Sequence, residues 1–213
     1  YSAGDSGSTQ LLGALRRAGE SFKDTSATGP WGPETGDNQL SCRQNFAILT
    51  TDGYWNSTSG YDTKVGDADG TAGPTITDPK GATWTYAVAN PYKDNLETCG
   101  KKGCTAGGTV ADTLADVAMA YWKNDLRTET AMANNVPKSN ADPAFWQHMV
   151  TFGVSIGLKG TLNPKTDLDA ITDGTKHWPN PITNSGAERI DDLWHASVNG
   201  RGSFVVASNP DEF

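Results

Sequence analysis

Phe46-Ala47-Ile48-Leu49-Thr50-Thr51-Asp52-Gly53 is an apolar run without alternation, closed by a carboxylate and a glycine. Such a run predicts a strand covered on both faces, as in a parallel α/β sheet. Ligands of open α/β sheets gather at the carboxyl ends of the strands. Asp52 stands where this strand leaves the sheet, which makes it a candidate metal ligand.

Outward from that strand (about 44–51) the chain alternates between helical and strand patterns. Residues 8–22 predict a helix, with Leu11, Leu15, Ala18 and Phe22 at helical spacing and Ser8 or Thr9 as its cap. Residues 23–41 carry Gly29-Pro30, Gly32-Pro33 and Gly36-Asp37 and read as an irregular loop. Residues 53–112 form a long insertion rich in Gly, Asp and Thr, with a short strand or hairpin at 82–88. Helix returns at about 113–126, where Leu114, Val117, Ala118, Tyr121 and Trp122 share a face and Thr113 with Asp116 resembles a capping box. A second buried strand is Met149–Gly157. A polar loop covers about 160–184, Ser185-x-x-Glu188 opens a helix burying Ile190, Leu193, Trp194 and Val198, and Gly202–Ala207 forms a third strand. This alternation indicates a parallel sheet with right-handed crossovers.

The bulk properties narrow the function classes. The chain has 213 residues, enough for one domain with a sizeable core, and a formal charge of −8. An acidic surface repels phosphate backbones, which argues against nucleic acid as a partner, and it attracts divalent cations. Mean hydropathy is −0.54, and no run approaches the roughly 18 apolar residues of a membrane span, so the chain does not read as an integral membrane protein. The polar start Tyr1-Ser2-Ala3-Gly4-Asp5 is no signal peptide, and the chain reads as an excised piece of a longer protein.

There are three cysteines. Cys99 and Cys104 bracket a short Gly-rich loop. A disulfide, two unpaired thiols and a metal site are the three readings, and the metal site lacks partner ligands. A bridge this short would remove roughly 2 kcal/mol of unfolded-chain entropy in the loop model and would place the protein in an oxidising compartment. Cys42 is expected to be buried or paired elsewhere.

Two segments fit one metal site: Gly7-Ser8-Thr9-Gln10-Leu11 and Thr51-Asp52-Gly53. The Thr9 hydroxyl and the Asp52 carboxylate are hard oxygen donors, and Mg²⁺ takes few protein oxygens and several waters. Gly7-x-Thr9-x-Leu11-x-x-Ala14-Leu15 and Ile48–Gly53 resemble the second and third motifs of the metal-ion-dependent adhesion site of von Willebrand factor type A domains. Further segments resemble the type IV pilus tip-adhesin family of PilY/PilC type: residues 42–56, Thr113–Met119, Asn134-Asn135-Val136-Pro137, 146–154 and Asp192–Gly202. These cover most of the chain in the family's order.

The resemblance implies a von Willebrand factor A-like, Rossmann-like α/β fold: a parallel sheet sandwiched by helices, with long loop insertions and the metal at its top edge. Residues 1–213 would be one partial domain of this kind. The family's Asp-x-Ser-x-Ser motif is absent, because Gly7 replaces the middle serine in Asp5-Ser6-Gly7-Ser8-Thr9 and no apolar strand precedes Asp5. The first strand and its helix would then be missing, leaving apolar sheet surface without its cover.

The implied role is a non-enzymatic adhesion and pilus-biogenesis module with a site for Mg²⁺, Ca²⁺ or Mn²⁺. It would act at the pilus tip, outer surface or periplasm of a Gram-negative-type bacterium. Expected partners are minor pilins or the pilus-tip complex, a host or abiotic surface ligand, and the family's β-propeller, which this chain lacks. The alternatives are a structural pilus-assembly module with a degenerate metal site and a metal-dependent phosphohydrolase.

That last alternative comes from Gly66-Asp67-Ala68-Asp69-Gly70-Thr71. Asp-x-Asp-Gly-Thr resembles the nucleophile loop of haloacid-dehalogenase-type phosphatases, but the preceding residues are polar where that mechanism needs a buried strand. The same residues suit a secondary calcium loop built on Asp67 and Asp69, although the later Glu of an EF-hand is missing. They also suit a plain Asp/Gly turn. His148, His177 and His195 have no metal-ligand spacing and read as packing or hydrogen-bonding residues, His195 with Asp191 or Asp192. The seven Trp read as core and loop anchors.

Overall fold

The computed structural model describes residues 9–56, 63–100, 103–183 and 185–207, those of 97–106 by their backbone alone. In chain order its elements are α1 (Leu11–Ser21), β1 (Asn45–Thr51), β2 (Thr75–Thr77), β3 (Thr83–Thr85), β4 (Leu96–Gly100), β5 (Gly103–Gly108), α2 (Leu114–Lys123), β6 (Met149–Ile156), α3 (Leu168–Thr172), α4 (Glu188–Asn199) and β7 (Arg201–Ala207). A 3-10 turn lies at Gly36–Asn38.

Strands β1, β6 and β7 form one parallel sheet in the order β1-β6-β7. Asn45 pairs with Met149 and Thr51 with Ser155, while Gly153 pairs with Phe204. Because side chains alternate across a strand, this register puts Leu49, Met149 and Phe204 on one face. There they meet Leu11, Leu12 and Leu15 of α1, Leu114 and Val117 of α2, and Leu193 of α4 in a single core. Each fully buried Leu there contributes about 1.5–3 kcal/mol of hydrophobic stabilisation. The result is the expected von Willebrand factor A-like α/β architecture, a parallel sheet flanked by helices.

The opposite sheet face is open, against the two-sided cover read from the apolar run and in line with the uncovered sheet surface that the resemblance implied. Ile48 is 69% exposed and Phe46 52%, with Ile156 and Val205 also open. Phe46 rests on Phe152 with ring centroids 6.0 Å apart. So, among the described residues, β1 is covered on one face only. Among the described residues the helices sharing its core lie on one side, and an unbroken apolar run reports hydrophobicity, not the number of layers packed against it.

The three N-terminal caps split. Thr113 accepts from the Asp116 amide while Asp116 accepts from the Thr113 amide, so α2 has the expected capping box. Thr9 does not cap α1, whose N-cap is Gln10 with no side-chain bond, and Ser8 lies outside the described residues. The Thr9 carbonyl instead accepts from the Asn56 amide at 3.2 Å. Ser185 does not cap α4 either, since the N-cap is Ala187.

The insertion packs as a second layer outside α2. β2 and β3 pair antiparallel as the 82–88 reading predicts, and Trp84 stacks toward Trp122 (5.4 Å) and Trp146 (4.9 Å). Around them Ile76, Tyr86 and Met119 complete a second core. Strands β4 and β5 form a hairpin that propensity did not reveal, with Cys99 opposite Cys104 in the backbone register. The side chains of this expected disulfide pair lie outside the described residues. Cys42 carries a free thiol at the surface, which overturns its expected burial and leaves it accessible to a partner outside this chain.

Candidate metal sites at the sheet rim and in the insertion

At the carboxyl end of β1 the chain turns sharply. The buried Thr51 hydroxyl accepts from the Gly53 amide at 3.1 Å and donates to the Gly53 carbonyl at 2.7 Å, which closes the turn and leaves Asp52 exposed. Thr9, at the entrance to α1, lies against this turn. A Cβ at Gly53 would sit 3.4 Å from the Thr9 hydroxyl oxygen. The loop beyond is held by Arg189 of α4, whose guanidinium lies 4.4 Å from the Trp55 ring centroid and donates to the carbonyls of Trp55 and Pro181. Thr9 and the Asp52–Gly53 turn thus lie side by side at the carboxyl end of β1.

A second constellation lies in the insertion, deeper than the Asp67/Asp69 loop reading anticipates. Asp67 is half-buried and its Oδ1 accepts from the Gly70 amide at 2.8 Å. A Cβ at Gly70 would come within 2.2 Å of that oxygen, so any larger residue there displaces the Asp67 carboxylate. Asp69 is fully buried. Its Oδ2 accepts from the Asn199 amide at 3.1 Å, and its Oδ1 has no hydrogen-bond partner. Asp116 reaches the loop from α2, its Oδ1 accepting from the amides of Ala68 (2.7 Å) and Asp69 (3.3 Å). Asp94 accepts from the Val110 amide at 2.6 Å. Ligand atoms of Asp67, Asp69 and Asp116 lie within 4.8 Å of one another, and so do those of Asp69, Asp94 and His195.

The electrostatics follow from this crowding. Burial and the neighbouring carboxylates Asp94, Asp116 and Asp67 push Asp69 well above the carboxylate range. Burial, and then Asp116 and Asp192, push Asp94 up against its bond from Val110. Burial raises Asp116 despite four hydrogen bonds from Thr113, Ala68 and Asp69. Asp192, which accepts from the Leu114 and Ala115 amides at the start of α2, is pushed to about 7 by burial. His195 falls to about 3 because burial disfavours its cation. Lys123 supplies one positive charge, donating to the Ala68 carbonyl at 2.5 Å and the Thr71 carbonyl at 2.8 Å.

No protein-family model matches the chain, and no solved structure matches it. Among curated proteins it is 34% identical, over 97% of its length, to the type IV pilus biogenesis factor PilY1 of Pseudomonas aeruginosa strain PAK. The same protein of strain PAO1 gives 34% and that of strain UCBPP-PA14 32%, again over 97% of the chain. This segment belongs to the PilY1 family. It spans 18% of the length of each of these relatives.

Within this PilY1-family segment, the sequence reading names Thr9, Asp52, Asp67 and Asp69 as candidates, and it does not place Asp94, Asp116, Asn199 and His195 beside Asp69, where the structure puts them. Asp116 was legible only as a cap, which it also is. Nothing local marks Asp94. His195 does not bond Asp191 or Asp192; its Nε2 lies 2.8 Å from the Tyr92 carbonyl and its ring stacks on Trp178 at 4.2 Å. Asp191 instead accepts from Thr161 and Leu162. The phosphatase reading finds no support in the backbone, since no strand precedes Asp67 between residues 63 and 66.

Proposed function

We propose that this segment is a non-enzymatic module for type IV pilus biogenesis and adhesion outside the cytoplasm, with a divalent-cation site at its sheet rim. The pilus role rests on the names of the PilY1 relatives. The observation that carries the rim site is the seating of Thr9 against the Asp52–Gly53 turn. Hydroxyl and carboxylate oxygens suit Mg²⁺ or Mn²⁺ with water filling the remaining positions, and Asp52 is exposed enough to take part. A cation held there offers an open coordination position to a carboxylate of a partner. Thr9 and Asp52 hold it, Thr51 fixes the turn, and Arg189 keeps the following loop in place. Candidate partners are minor pilins, the pilus-tip complex, the rest of the parent protein, and a host or abiotic surface. Among the described residues no helix is long and apolar enough to cross a membrane.

One observation favours a second reading, a structural assembly module whose metal loop is degenerate. Thr51 closes the turn with its own hydroxyl, so the turn does not need an ion. Asp52→Ala in the full-length protein separates the two. The adhesive reading expects Mn²⁺ affinity at the rim and surface attachment to fall together, with pilus assembly retained. Unchanged attachment by a folded Asp52→Ala protein rejects it in favour of the structural one.

A further inference from the structure

We propose that the buried carboxylates around Asp69 form a second cation site, independent of the rim, that takes Ca²⁺ and ties the insertion to the helical layer. Three elements converge there. The 67–71 loop supplies Asp67 and Asp69, α2 supplies Asp116, and α4 contributes Asn199, whose amide donates to Asp69 at 3.1 Å and to the Ala115 carbonyl at 3.1 Å.

A cluster of acids alone would not establish a site. What points to a ligand is Asp69 itself: fully buried, with Oδ1 lacking any partner. A buried carboxyl oxygen without a partner is costly, and a bound cation at this point satisfies it. The charge balance agrees. Asp67, Asp69, Asp94 and Asp116 converge on a region to which Lys123 brings one positive charge. A divalent ion offsets two carboxylates at once.

The donor set selects the metal. Asp67, Asp69 and Asp116 offer carboxylate oxygens within 4.8 Å of one another, and around an ion with bonds of about 2.4 Å opposed ligands stand about 4.8 Å apart. Ca²⁺ accepts irregular oxygen shells and carbonyl or water ligands, whereas Mg²⁺ demands a near-ideal octahedron. His195 does not turn this into a nitrogen site for Zn²⁺. Its Nε2 is 2.8 Å from the Tyr92 carbonyl, which only a protonated nitrogen can satisfy, and 3.6 Å from Asp69 Oδ2. Half-buried Asp67 provides the way in from solvent.

The test uses the full chain stripped with chelator, then titrated with Ca²⁺ and, separately, with Tb³⁺. The Tyr86 hydroxyl donates to the Asp69 carbonyl at 2.8 Å, so Tb³⁺ bound at Asp69 is sensitised by excitation of Tyr86. We expect Ca²⁺-competed Tb³⁺ emission in the parent and in Asp52→Ala, with affinity at least tenfold weaker in Asp67→Asn and Asp69→Asn. Asp67→Asn changes a half-buried group, so it remains informative if Asp69→Asn does not fold. Equal affinity in parent and Asp67→Asn, no Ca²⁺-competed emission from the parent, or tighter binding of Zn²⁺ than of Ca²⁺ overturns the proposal. Loss of the signal in Asp52→Ala alone also overturns it and assigns the ion to the rim.

Discussion

Gly153→Ala tests the joint on which both candidate sites depend. Gly153 lies in the central strand β6, on the face that receives α4. An added Cβ would lie 2.6 Å from the Ser197 hydroxyl oxygen, 3.0 Å from Phe204 Cδ2 and 3.1 Å from Leu193 Cγ. Two of these belong to α4, the helix that also presents Arg189, Asp192, His195 and Asn199. Forcing a methyl into such packing costs about 1–3 kcal/mol. The lower backbone entropy of unfolded Ala returns about 0.5–1 kcal/mol. The net expectation is a loss of about 1.5 kcal/mol, which for a chain of this size lowers Tm by about 3–6 °C.

Ser197→Ala removes the nearest atom, at the cost of the Ser197 bond to the Leu193 carbonyl at 3.0 Å. It leaves the two carbon contacts in place. The double variant should therefore recover part of the loss, with a favourable coupling of about 1 kcal/mol in a double-mutant cycle. Urea unfolding of the four proteins, followed by tryptophan fluorescence, measures this. A Gly153→Ala protein as stable as the parent, or a coupling of zero, would refute the claim that α4 sits on β6 at this distance.

Two further expectations concern the periphery. Burial raises Asp142, but hydrogen bonds from His148 and Trp122 and the His148 charge overcome it and hold the carboxyl below its ordinary 3.8. A carboxyl depressed in the folded state adds stability that is present above its unfolded pKa and lost as pH falls through the folded one. Stability of the parent should thus drop more steeply with acid below about pH 4 than that of Asp142→Asn, as urea melts from pH 3 to 6 will read. Arg189→Ala removes the ring contact with Trp55 and the bonds to the Trp55 and Pro181 carbonyls. It should cost about 1–2 kcal/mol and speed amide exchange at Asp52–Asn56 before it affects β6. Unchanged exchange there would show that Arg189 does not hold the rim loop.

Much of the architecture was legible because it is written locally. The apolar runs at 46–49 and 149–156 and the periodic faces of 11–22, 114–122 and 190–198 are short-range patterns. The Thr113/Asp116 capping box is a contact between neighbours in the chain. The nearness of Thr9 to the Asp52–Gly53 turn was anticipated through motifs whose spacing survives in the chain.

Local signals failed where a partner from elsewhere competed. Thr9 offered itself as a cap, but Asn56 took its carbonyl and α1 began one residue later without it. Ile48 looked like core, yet the face it joins has no cover among the described residues. The β4–β5 strands are rich in Gly and Thr and form through pairing rather than propensity.

The amino-acid sequence by itself determined the order of α1, β1, α2, β6, α4 and β7, their parallel sheet, and the kinship with PilY1, since periodicity and motif order are properties of neighbours along a chain. Tertiary structure alone decided that Asp69, Asp94, Asp116, Asn199 and His195, drawn from residues 69 to 199, share one buried region. No spacing rule connects them, because the folding of the insertion over α2 and α4 sets their distances, and burial among like charges exists only after that packing is complete.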